Sequence, residues 1–357
     1  MSDNDKIHHV DCHRLRDFAT EALAKAGVTH QDAAIIADTM VEADLRGIDT
    51  HGVVRLAPYI RMIAEGNMNP RPNLSIIKET PVTALIDADD GVGNLVSAKA
   101  AEIAIQKARS SGMGIVGIRN STHNGMLAYY PMMALKHDMI GLMTTNAPPQ
   151  IPAYGGITSV LSTNPYAAAV PAGEELPVVV DMATTVVAGG KVRLYANLGK
   201  KIPLGWGLDR HGQPTDDPKE VLEHGFLAWL GGAKGYALAV LANILSGVLT
   251  GGPFSSETFG PYSSAEYGTQ LFREGHFIMV LSIDNFMSVD EFKRRMDDMI
   301  REIKASKPAE GFSRVYLPGE PEFEQKEQRL KTGIPLSHMV WERLVGVKEK
   351  FGLPSFE

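Results

Sequence analysis

Gly112-Met-Gly-Ile-Val-Gly117 is the stretch that decides the fold, because it matches the Gly-x-Gly-x-x-Gly pattern of Rossmann dinucleotide-binding domains. That pattern binds a pyrophosphate only where the glycines follow a strand and open a helix. Here the order is reversed, since the periodicity of Ser97 to Arg109 predicts a helix before the glycines, and Ile115 to Ile118 reads as a strand. We therefore expect Gly112 to end a helix, and the pattern does not indicate a Rossmann domain.

The segments around this stretch predict an alternation of strands and helices. Val82 to Ile86 reads as a strand, so it forms a βαβ-like unit with the helix and the strand that follow. The first 66 residues read as three helices, and a proline-containing connector from Pro70 to Thr80 leads away from them. We predict a mixed α/β (α+β) fold with a helical segment over 1–75, packed with 305–357, and a mixed α/β region over 76–304.

The second half of the chain carries further elements. The glycine- and proline-rich stretch from Asn146 to Gly207 is expected to be ordered loop structure that lines a site. Gly235 to Val248 predicts a buried helix, because it is apolar but too short to cross a bilayer. Ser256 to Tyr267 is expected to be a surface excursion. Phe277 to Ile283 predicts a strand, and Val289 to Ile303 predicts an amphipathic helix.

The bulk composition is that of a folded protein and excludes several kinds of partner. Of 357 residues, 44% are hydrophobic and 22% are charged. The formal net charge of -7 argues against non-specific binding to nucleic acid or to an anionic membrane. One cysteine cannot form an internal disulfide, and no targeting pattern is visible, so we expect a cytoplasmic location. His8, His9 and His13 lie near Cys12, but Asp11 suits a helix cap there, and no metal site is predicted.

A second informative stretch is Asp44-Leu-Arg-Gly-Ile-Asp-Thr-His-Gly-Val-Val-Arg-Leu-Ala-Pro-Tyr59. Thr29 to Leu45 predicts a helix that ends just before it. If the next helix begins close to His51, then Arg55 and Tyr59 follow one and two turns later on the same face. The three polar side chains are therefore expected to point into one space.

These residue types suit an alcohol that lies beside a carboxylate. An imidazole exchanges a proton near neutral pH, and a guanidinium binds a carboxylate through two parallel donors. His51 and Arg55 therefore predict a redox site for a small organic anion. Structural readings stay open, in which His51 caps a helix, Arg55 is a solvated charge and Tyr59 is a core residue. A hydrolase that uses His51 with a metal and a non-catalytic metabolite-binding protein also stay open.

Seven short motifs, in one order over nearly the whole chain, carry a resemblance to a known family. They are Arg46-Gly-Ile-Asp-Thr-His-Gly-Val-Val-Arg55, Arg119-Asn-Ser-Thr-His-Asn-Gly125, Ser162-Thr-Asn-Pro165, Asp181-Met-Ala-Thr-Thr185, Gly205-Trp-Gly-Leu-Asp209, Gly231-Gly-Ala-Lys-Gly-Tyr236 and Pro318-Gly-Glu320. On these motifs the chain resembles the malate/L-lactate dehydrogenase family of the second type, which includes sulfolactate, ureidoglycolate and diketogulonate oxidoreductases. The resemblance implies a non-Rossmann nicotinamide-binding fold particular to the family, and usually a homodimer with the site near the subunit interface.

The resemblance also implies roles for individual residues. His51, with the hydroxyl of Thr50 beside it, matches the proton donor and acceptor, and His123 matches a rival acid/base group. Arg55 matches the residue that contacts the substrate carboxylate. Further substrate contacts are implied for Tyr59, Thr163, Gly189 and Gly190. Cofactor contacts are implied for His123, Asn124, Gly125, Asp181, Met182, Ala183, Lys234, Pro318, Gly319 and Glu320.

The expected activity is therefore the NAD(P)-dependent interconversion of a small 2-hydroxy acid and its 2-oxo acid, of the malate, lactate or sulfolactate type. A cyclic imino acid or a ureido acid is the alternative substrate within the family. Glu322 and Glu324 follow Pro318-Gly-Glu320, and no arginine is near for a ribose 2′-phosphate, so NAD is favoured over NADP. Lys191 stands where some members place an Asp that assists the histidine.

Overall fold

A mixed β-sheet with helices packed against it forms the centre of the molecule, which a computed structural model describes over residues 6–258 and 273–356. The α-helices are α1 (Cys12–Lys25), α2 (His30–Leu45), α3 (Leu56–Ala64), α4 (Gly93–Ser111), α5 (Tyr129–Met133), α6 (Gly189–Asn197), α7 (Pro218–Glu223), α8 (Ala233–Asn243), α9 (Val289–Ala305), α10 (Glu320–Thr332) and α11 (His338–Phe351). The strands are β1 (Ile7–Val10), β2 (Ser75–Glu79), β3 (Thr83–Asp87), β4 (Met113–Ser121), β5 (Met139–Thr145), β6 (Ile151–Pro152), β7 (Ser159–Leu161), β8 (Tyr166–Val170), β9 (Val178–Met182), β10 (Gly207–Leu208), β11 (Pro214–Thr215), β12 (Phe226–Leu227), β13 (Glu274–Ser282) and β14 (Ile334–Ser337).

The main sheet contains seven of the described strands, in the order β2-β3-β4-β13-β5-β8-β9. β3 and β4 run parallel, with Thr83 opposite Ile115, and α4 connects them. The other neighbours in this sheet are antiparallel. The predicted βαβ-like unit and the mixed α/β class are therefore confirmed.

The glycines of the Gly-x-Gly-x-x-Gly stretch have a packing role. Gly112 ends α4 in the left-handed conformation, with φ of 81°, as predicted. A Cβ at Gly114 would lie 1.9 Å from the carbonyl oxygen of Ala104 in α4, and one at Gly117 would lie 3.2 Å from Thr250. These glycines therefore allow a helix and a strand to approach closely. Close packing accounts for the glycines at these positions, and no pyrophosphate site is needed to explain them.

The two ends of the described chain share a core. Side chains from α1, α2 and α3 pack in one buried cluster with residues 334–356. Strand β1 pairs with β14, with Ile7 opposite Ser337. Neither strand was predicted from the sequence, because a four-residue strand shows too little periodicity to be identified. The division of the chain into 1–75 with 305–357 and 76–304 stays a prediction.

The prediction of a buried helix over Gly235 to Val248 is wrong in its burial. The helix exists as α8 and continues as a π-helical turn at Ile244–Val248. Its buried positions are mostly small residues, while its large aliphatic side chains are exposed. The exposed side chains are Leu238, Leu241, Ile244, Val248 and Leu249. The buried side of this turn packs closely against the sheet, because a Cβ at Gly275 of β13 would lie 1.8 Å from the carbonyl oxygen of Ser246.

The remaining predicted elements are present. Phe277 to Ile283 lies mainly in β13, and Val289 to Ile303 lies in α9, which Ser288 caps. The surface excursion predicted for Ser256 to Tyr267 falls mostly outside the described residues. Over residues 6–258 and 273–356, none of the helices combines the length and the apolar character that a membrane span needs.

Candidate active site

A clamped turn presents His51. Two short 3-10 turns, Asp49–His51 and Val53–Arg55, connect α2 to α3. The buried carboxylate of Asp44 accepts a hydrogen bond of 2.8 Å from the backbone N–H of Val53. A Cβ at Gly52 would lie 1.7 Å from an oxygen of Asp44, so only glycine fits there. Arg329 of α10 donates to the backbone carbonyl of Asp44 and to the carboxylate of Asp49, which fixes the turn from outside.

The imidazole of His51 is uncharged at neutral pH. Its Nδ1 lies 2.8 Å from the hydroxyl oxygen of Thr50, which leaves Nε2 as the nitrogen that can meet a substrate. Burial, helped by the positive charge of Arg55, lowers the pKa of His51 to about 4. At neutral pH this ring can therefore accept a proton.

Arg55, Tyr59 and a second imidazole lie beside His51. Nε of Arg55 donates to the backbone carbonyl of Thr50 at 2.8 Å, so the side chain folds back over the turn. The ring of His123 stacks on that of His51, with 5.5 Å between the centroids and 20° between the planes. The hydroxyl of Tyr59 lies 2.5 Å from Nδ1 of His123. The structure thus brings together the three residues of the 44–59 stretch and adds His123.

The tautomer of His123 follows from its neighbours. The backbone N–H of Gly125 donates to Nδ1 at 3.4 Å, and a backbone N–H cannot accept a hydrogen bond. Nδ1 is therefore an acceptor, and in the neutral ring the proton lies on Nε2. Burial, followed by the charges of Arg55 and His51, holds the pKa of His123 well below its usual value, so the ring is neutral.

Two residues of this region were missed by the sequence analysis. Glu274 is 4% exposed, and burial raises the pKa of its carboxyl to about 8 although Arg55 opposes the shift. His276 is fully buried, and its Nδ1 lies 2.6 Å from the hydroxyl of Thr145. Among the described residues, Nε2 of His276 has no hydrogen-bond partner. The only sequence signal was two polar residues at the start of an apolar strand.

Several predicted cofactor residues line a separate cleft of ≈ 280 Å³. Asp181, Met182, Pro318 and Gly319 are among its walls. The other lining residues were not predicted from the sequence as cofactor contacts. They are Arg46, Ile48, Ala128, Val179, Val180 and Glu322. Gly319 has φ of 90°, and a Cβ there would lie 2.7 Å from Val179, so this turn requires glycine.

The charges of the cleft are unusual. Nε and Nη1 of Arg46 are buried and have no hydrogen-bond partner among the described residues, and the guanidinium lies 4.3 Å from the ring centroid of Phe323. Asp181 accepts a hydrogen bond of 2.9 Å from the backbone N–H of Ala128. Burial raises the pKa of Asp181 to about 6. An arginine donor and two carboxylates, those of Asp181 and Glu322, therefore face one small volume.

Some predicted residues have other roles or positions. The carboxylate of Glu320 accepts from the backbone N–H of Leu317 and pairs with Lys304 at 3.0 Å, so its oxygens have partners within the chain. Burial raises the pKa of Glu320, but these two contacts outweigh it and hold the pKa below its usual value. Asn124 is buried and donates to Ser97 at 3.3 Å. The glycine next to it, Gly125, takes a φ of 72°.

The remaining predicted residues follow β7 and β9 or lie in the first turns of α6 and α8. The carbonyl of Thr163 accepts from the backbone N–H of Thr184, the residue after Ala183. Lys234 is exposed in the first turn of α8. Gly189 begins α6, and a Cβ at Gly190 would lie 3.5 Å from the methyl group of Thr50, so this helix start lies against the His51 turn.

Lys191 lies over an aromatic ring. Its Nζ is 5.1 Å from the ring centroid of Trp206. At this distance the ammonium group makes a cation–π contact with the indole ring. Among the described residues, no hydrogen bond connects Lys191 with His51.

Comparisons with known proteins agree with this fold and these motifs. Malate dehydrogenase of Pyrococcus horikoshii is 41% identical over 347 residues, which cover 95% of this chain and 94% of the relative. Ureidoglycolate dehydrogenase (NAD(+)) of Escherichia coli O157:H7 is 33% identical, with 93% of each chain covered. A solved structure of malate dehydrogenase from Pyrococcus horikoshii OT3 superposes with a TM-score of 0.89 at 37% identity, and covers 98% of this chain and 97% of that one.

These relatives are dehydrogenases of hydroxy acids, which is the class of enzyme that the fold and the site define. Residues 10–345 match the malate/L-lactate dehydrogenase family. The chain belongs to this family, and the resemblance carried by the seven motifs is confirmed.

Proposed function

We propose that the chain catalyses reversible hydride transfer between NAD and a small 2-hydroxy acid, with His51 as the acid/base group and Arg55 as the carboxylate clamp. The observation that carries the proposal is the convergence of His51, Arg55, Tyr59 and His123 in one place. An alcohol oxidation needs a neutral base, and a 2-hydroxy acid needs a fixed cation within reach of that base.

Each residue would do a defined task. Arg55 binds the substrate carboxylate, and its Nε contact with the carbonyl of Thr50 limits the positions that the guanidinium can take. The hydroxyl oxygen of Thr50 accepts a hydrogen bond from Nδ1–H of His51, so Nε2 carries a lone pair and takes the hydroxyl proton of the substrate. In the reduction direction, protonated His51 returns that proton to the oxygen.

The residues of the cleft around Asp181 and Gly319 support the proposal that the coenzyme is a nicotinamide dinucleotide. Bound NAD would supply the carbon that accepts hydride. The unpartnered donors of Arg46 and the carboxylate of Asp181 suit ribose or amide groups, and the glycine turn at Gly319 allows close approach of a ligand to the backbone. The carboxylates of Asp181 and Glu322 outnumber Arg46 in the cleft and oppose a 2′-phosphate, so NAD is the proposed coenzyme rather than NADP. One relative carries NAD(+) in its name.

We also propose a homodimer. The aliphatic side chains exposed on α8 and the turn after it include Leu241 (46% exposed) and Val248 (54%). An exposed aliphatic face of this kind is typical of an interface between subunits. Light scattering should give twice the mass of one chain, and a mass equal to one chain would contradict the proposal.

A substrate panel tests the activity. Purified protein is mixed with 2-oxo acids, ureido acids or cyclic imino acids, and the loss of NADH or NADPH absorbance is followed. Activity with a 2-oxo acid and NADH is expected. Activity confined to cyclic imino acids would move the chain to the alternative substrate class, and failure to bind either nucleotide would contradict the proposal as a whole.

A further inference from the structure

One face of α10 contacts the end of α2 and the turn that follows it. Residues three apart share a face of a helix, and Phe323, Lys326 and Arg329 have this spacing. Nζ of Lys326 lies 2.7 Å from both carboxylate oxygens of Glu42, and the guanidinium of Arg46 lies over the ring of Phe323. Arg329 is the third residue of this face, and it is the one that reaches the turn.

Arg329 binds the turn at two points. Its Nη1 donates to the backbone carbonyl of Asp44, near the end of α2, and to the carboxylate of Asp49. Its Nη2 donates to the second oxygen of Asp49 at 3.3 Å, so the ion pair is bidentate. Asp49 opens the 3-10 turn that ends at His51, and the backbone N–H of His51 donates to the carbonyl of Ile48 at 2.9 Å. The position of His51 is therefore fixed relative to α10.

This ion pair is poorly suited to a role in stability alone. The side chain of Arg329 is 10% exposed, whereas that of Asp49 is 54% exposed. Nε of Arg329 is buried and has no hydrogen-bond partner among the described residues. Desolvation of a guanidinium is costly, and an ion pair with an exposed carboxylate contributes little to the free energy of unfolding. The bidentate contact instead provides a defined geometry between the helix and the turn.

The same helix borders the proposed coenzyme cleft. Gly319, which precedes α10, and Glu322 in its first turn line the cleft beside Asp181. Arg329 follows Glu322 by two turns, about 10 Å along the helix axis. Hydride transfer needs the coenzyme and the base in a fixed relation to one substrate, and a displacement of about 1 Å costs on the order of a hundredfold in rate. A single helix that contacts both the cleft and the turn of His51 can keep this relation constant.

We propose that Arg329 is a positioning residue for the acid/base group, and that its contacts with Asp44 and Asp49 hold the turn of His51 at the distance from the coenzyme cleft that hydride transfer needs. The inference rests on the proposed function, in which His51 is the base and the cleft binds the coenzyme. Arg329 acts on the reaction through the turn and not through a contact with the substrate.

Substitutions on this face of α10 separate position from stability. Arg329→Gln removes the charged fork, so kcat/KM for the acid should fall about a hundredfold, while the affinity for NADH, measured by fluorescence, should change little. Arg329→Lys should recover only part of the loss, because an ammonium group cannot make the bidentate contact. Lys326→Gln is the matched control, since it breaks the ion pair with Glu42 on the same face and leaves Arg329 in place. Its kcat/KM should equal that of the unaltered protein.

Asp49→Asn tests the same contact from the other side. The side chain of Asp49 is half exposed, so this variant should fold even if Arg329→Gln does not. Its kcat/KM should also fall, and the double variant should lose no more than Arg329→Gln alone, because both changes remove one interaction. Losses that multiply in the double variant would show two independent roles and would overturn the inference.

Chemical modification of His51 gives a measurement that does not need turnover. Diethyl pyrocarbonate modifies neutral imidazoles that solvent can reach, and peptide mass spectrometry follows the modification of His51. Burial lowers the pKa of His51 to about 4, so the ring is neutral at pH 7 and the rate reports its accessibility. This rate should rise several-fold in Arg329→Gln and in Asp49→Asn, because a released turn exposes the ring. It should stay unchanged in Lys326→Gln.

Two results would show that Arg329 only supports the fold, and either would overturn the inference. One is a lower melting temperature in Arg329→Gln with unchanged kcat/KM. The other is a rate of His51 modification that is the same in Arg329→Gln and Lys326→Gln. If the modification follows the expectation but the unaltered protein turns over no acid, the proposed function fails and the role of Arg329 in holding the turn stands.

Discussion

The turn at residues 49–55 and the loop that follows β4 each bring one imidazole to the site, but they hold it by different means. His51 is fixed by its immediate neighbour Thr50, whose hydroxyl oxygen can accept a hydrogen bond from Nδ1–H. His123 is fixed by Tyr59, a residue 64 positions away, and by the N–H of Gly125. When Thr50 accepts from Nδ1–H of His51, the two stacked rings have opposite tautomers: Nε2 is an acceptor in His51 and a donor in His123.

This difference explains why two similar rings, 5.5 Å apart, should have different roles. A neutral ring with a lone pair on Nε2 can take the proton of an alcohol. A ring whose Nε2 carries the proton can donate a hydrogen bond to the substrate oxygen or to the coenzyme, but it cannot act as the base without a change of tautomer.

The largest effect is expected for His51→Ala. Removal of the base should lower kcat by about 10²- to 10⁴-fold, because general acid/base action has this magnitude. His123→Ala is the matched comparison, and it should lose less than His51→Ala because only a hydrogen-bond donor is removed. Steady-state kinetics measures both, and NADH binding followed by fluorescence should change little in His51→Ala. A loss of turnover in His123→Ala alone would reverse the two roles.

Arg55→Ala should mainly weaken substrate binding. A charged, bidentate contact is lost, so we expect KM for the acid to rise roughly a hundredfold with a smaller change in kcat. Arg61→Ala, at an exposed arginine of α3, controls for the loss of a positive charge on the helix that follows Arg55. Initial rates over a range of acid concentrations decide the question. An unaltered KM for the acid would exclude Arg55 as the clamp.

The features that could be predicted from the sequence depend on neighbouring residues, as the contact of His51 with Thr50 does. The helix over 29–45 was predicted from its own residues, and Thr29 does cap α2 by accepting from the backbone N–H of Asp32. The strand-helix-strand order around Gly112 was predicted in the same way. Caps, periodicity and a glycine stop act over a few residues, so local sequence contains them. The position of His51 just after a helix follows from the same signals.

The features that sequence could not predict depend on distant contacts. The partner of β1 lies more than 320 residues away, in β14. The burial of Glu274 depends on the pairing of β13 with β4 and β5, and nothing in its neighbours in sequence indicates that pairing. The exposed face of α8 resembles a core helix in composition, and only the packing of its small residues distinguishes the two. The role of Glu320 as a partner of Lys304 is likewise a tertiary contact.

The pH profile of oxidation tests the state of His51. The neutral ring is the active form, and it is lost as pH falls through the pKa of about 4 in the folded protein. With a monocarboxylic 2-hydroxy acid, and with NAD at a saturating concentration so that the titration of Asp181 does not limit coenzyme binding, kcat/KM for the acid should therefore stay on its plateau at pH 5. A ring of ordinary pKa would already have lost about 30-fold of its neutral form there. An acid limb centred near pH 6.5 would mean that the base is solvated.

The smallest effect is expected for Tyr59→Phe, which tests how His123 is held. The change removes one hydroxyl from Nδ1 of His123 and keeps the buried ring, so the fold should lose only about 1 kcal/mol of stability. Because Gly125 still donates to Nδ1, the tautomer should persist, and kcat should fall only several-fold. Tyr129→Phe is the control, since that hydroxyl donates to Asp38. A loss as large as that of His51→Ala would mean that the Tyr59–His123 pair itself moves the proton, and the contrast between the two imidazoles would then be inverted.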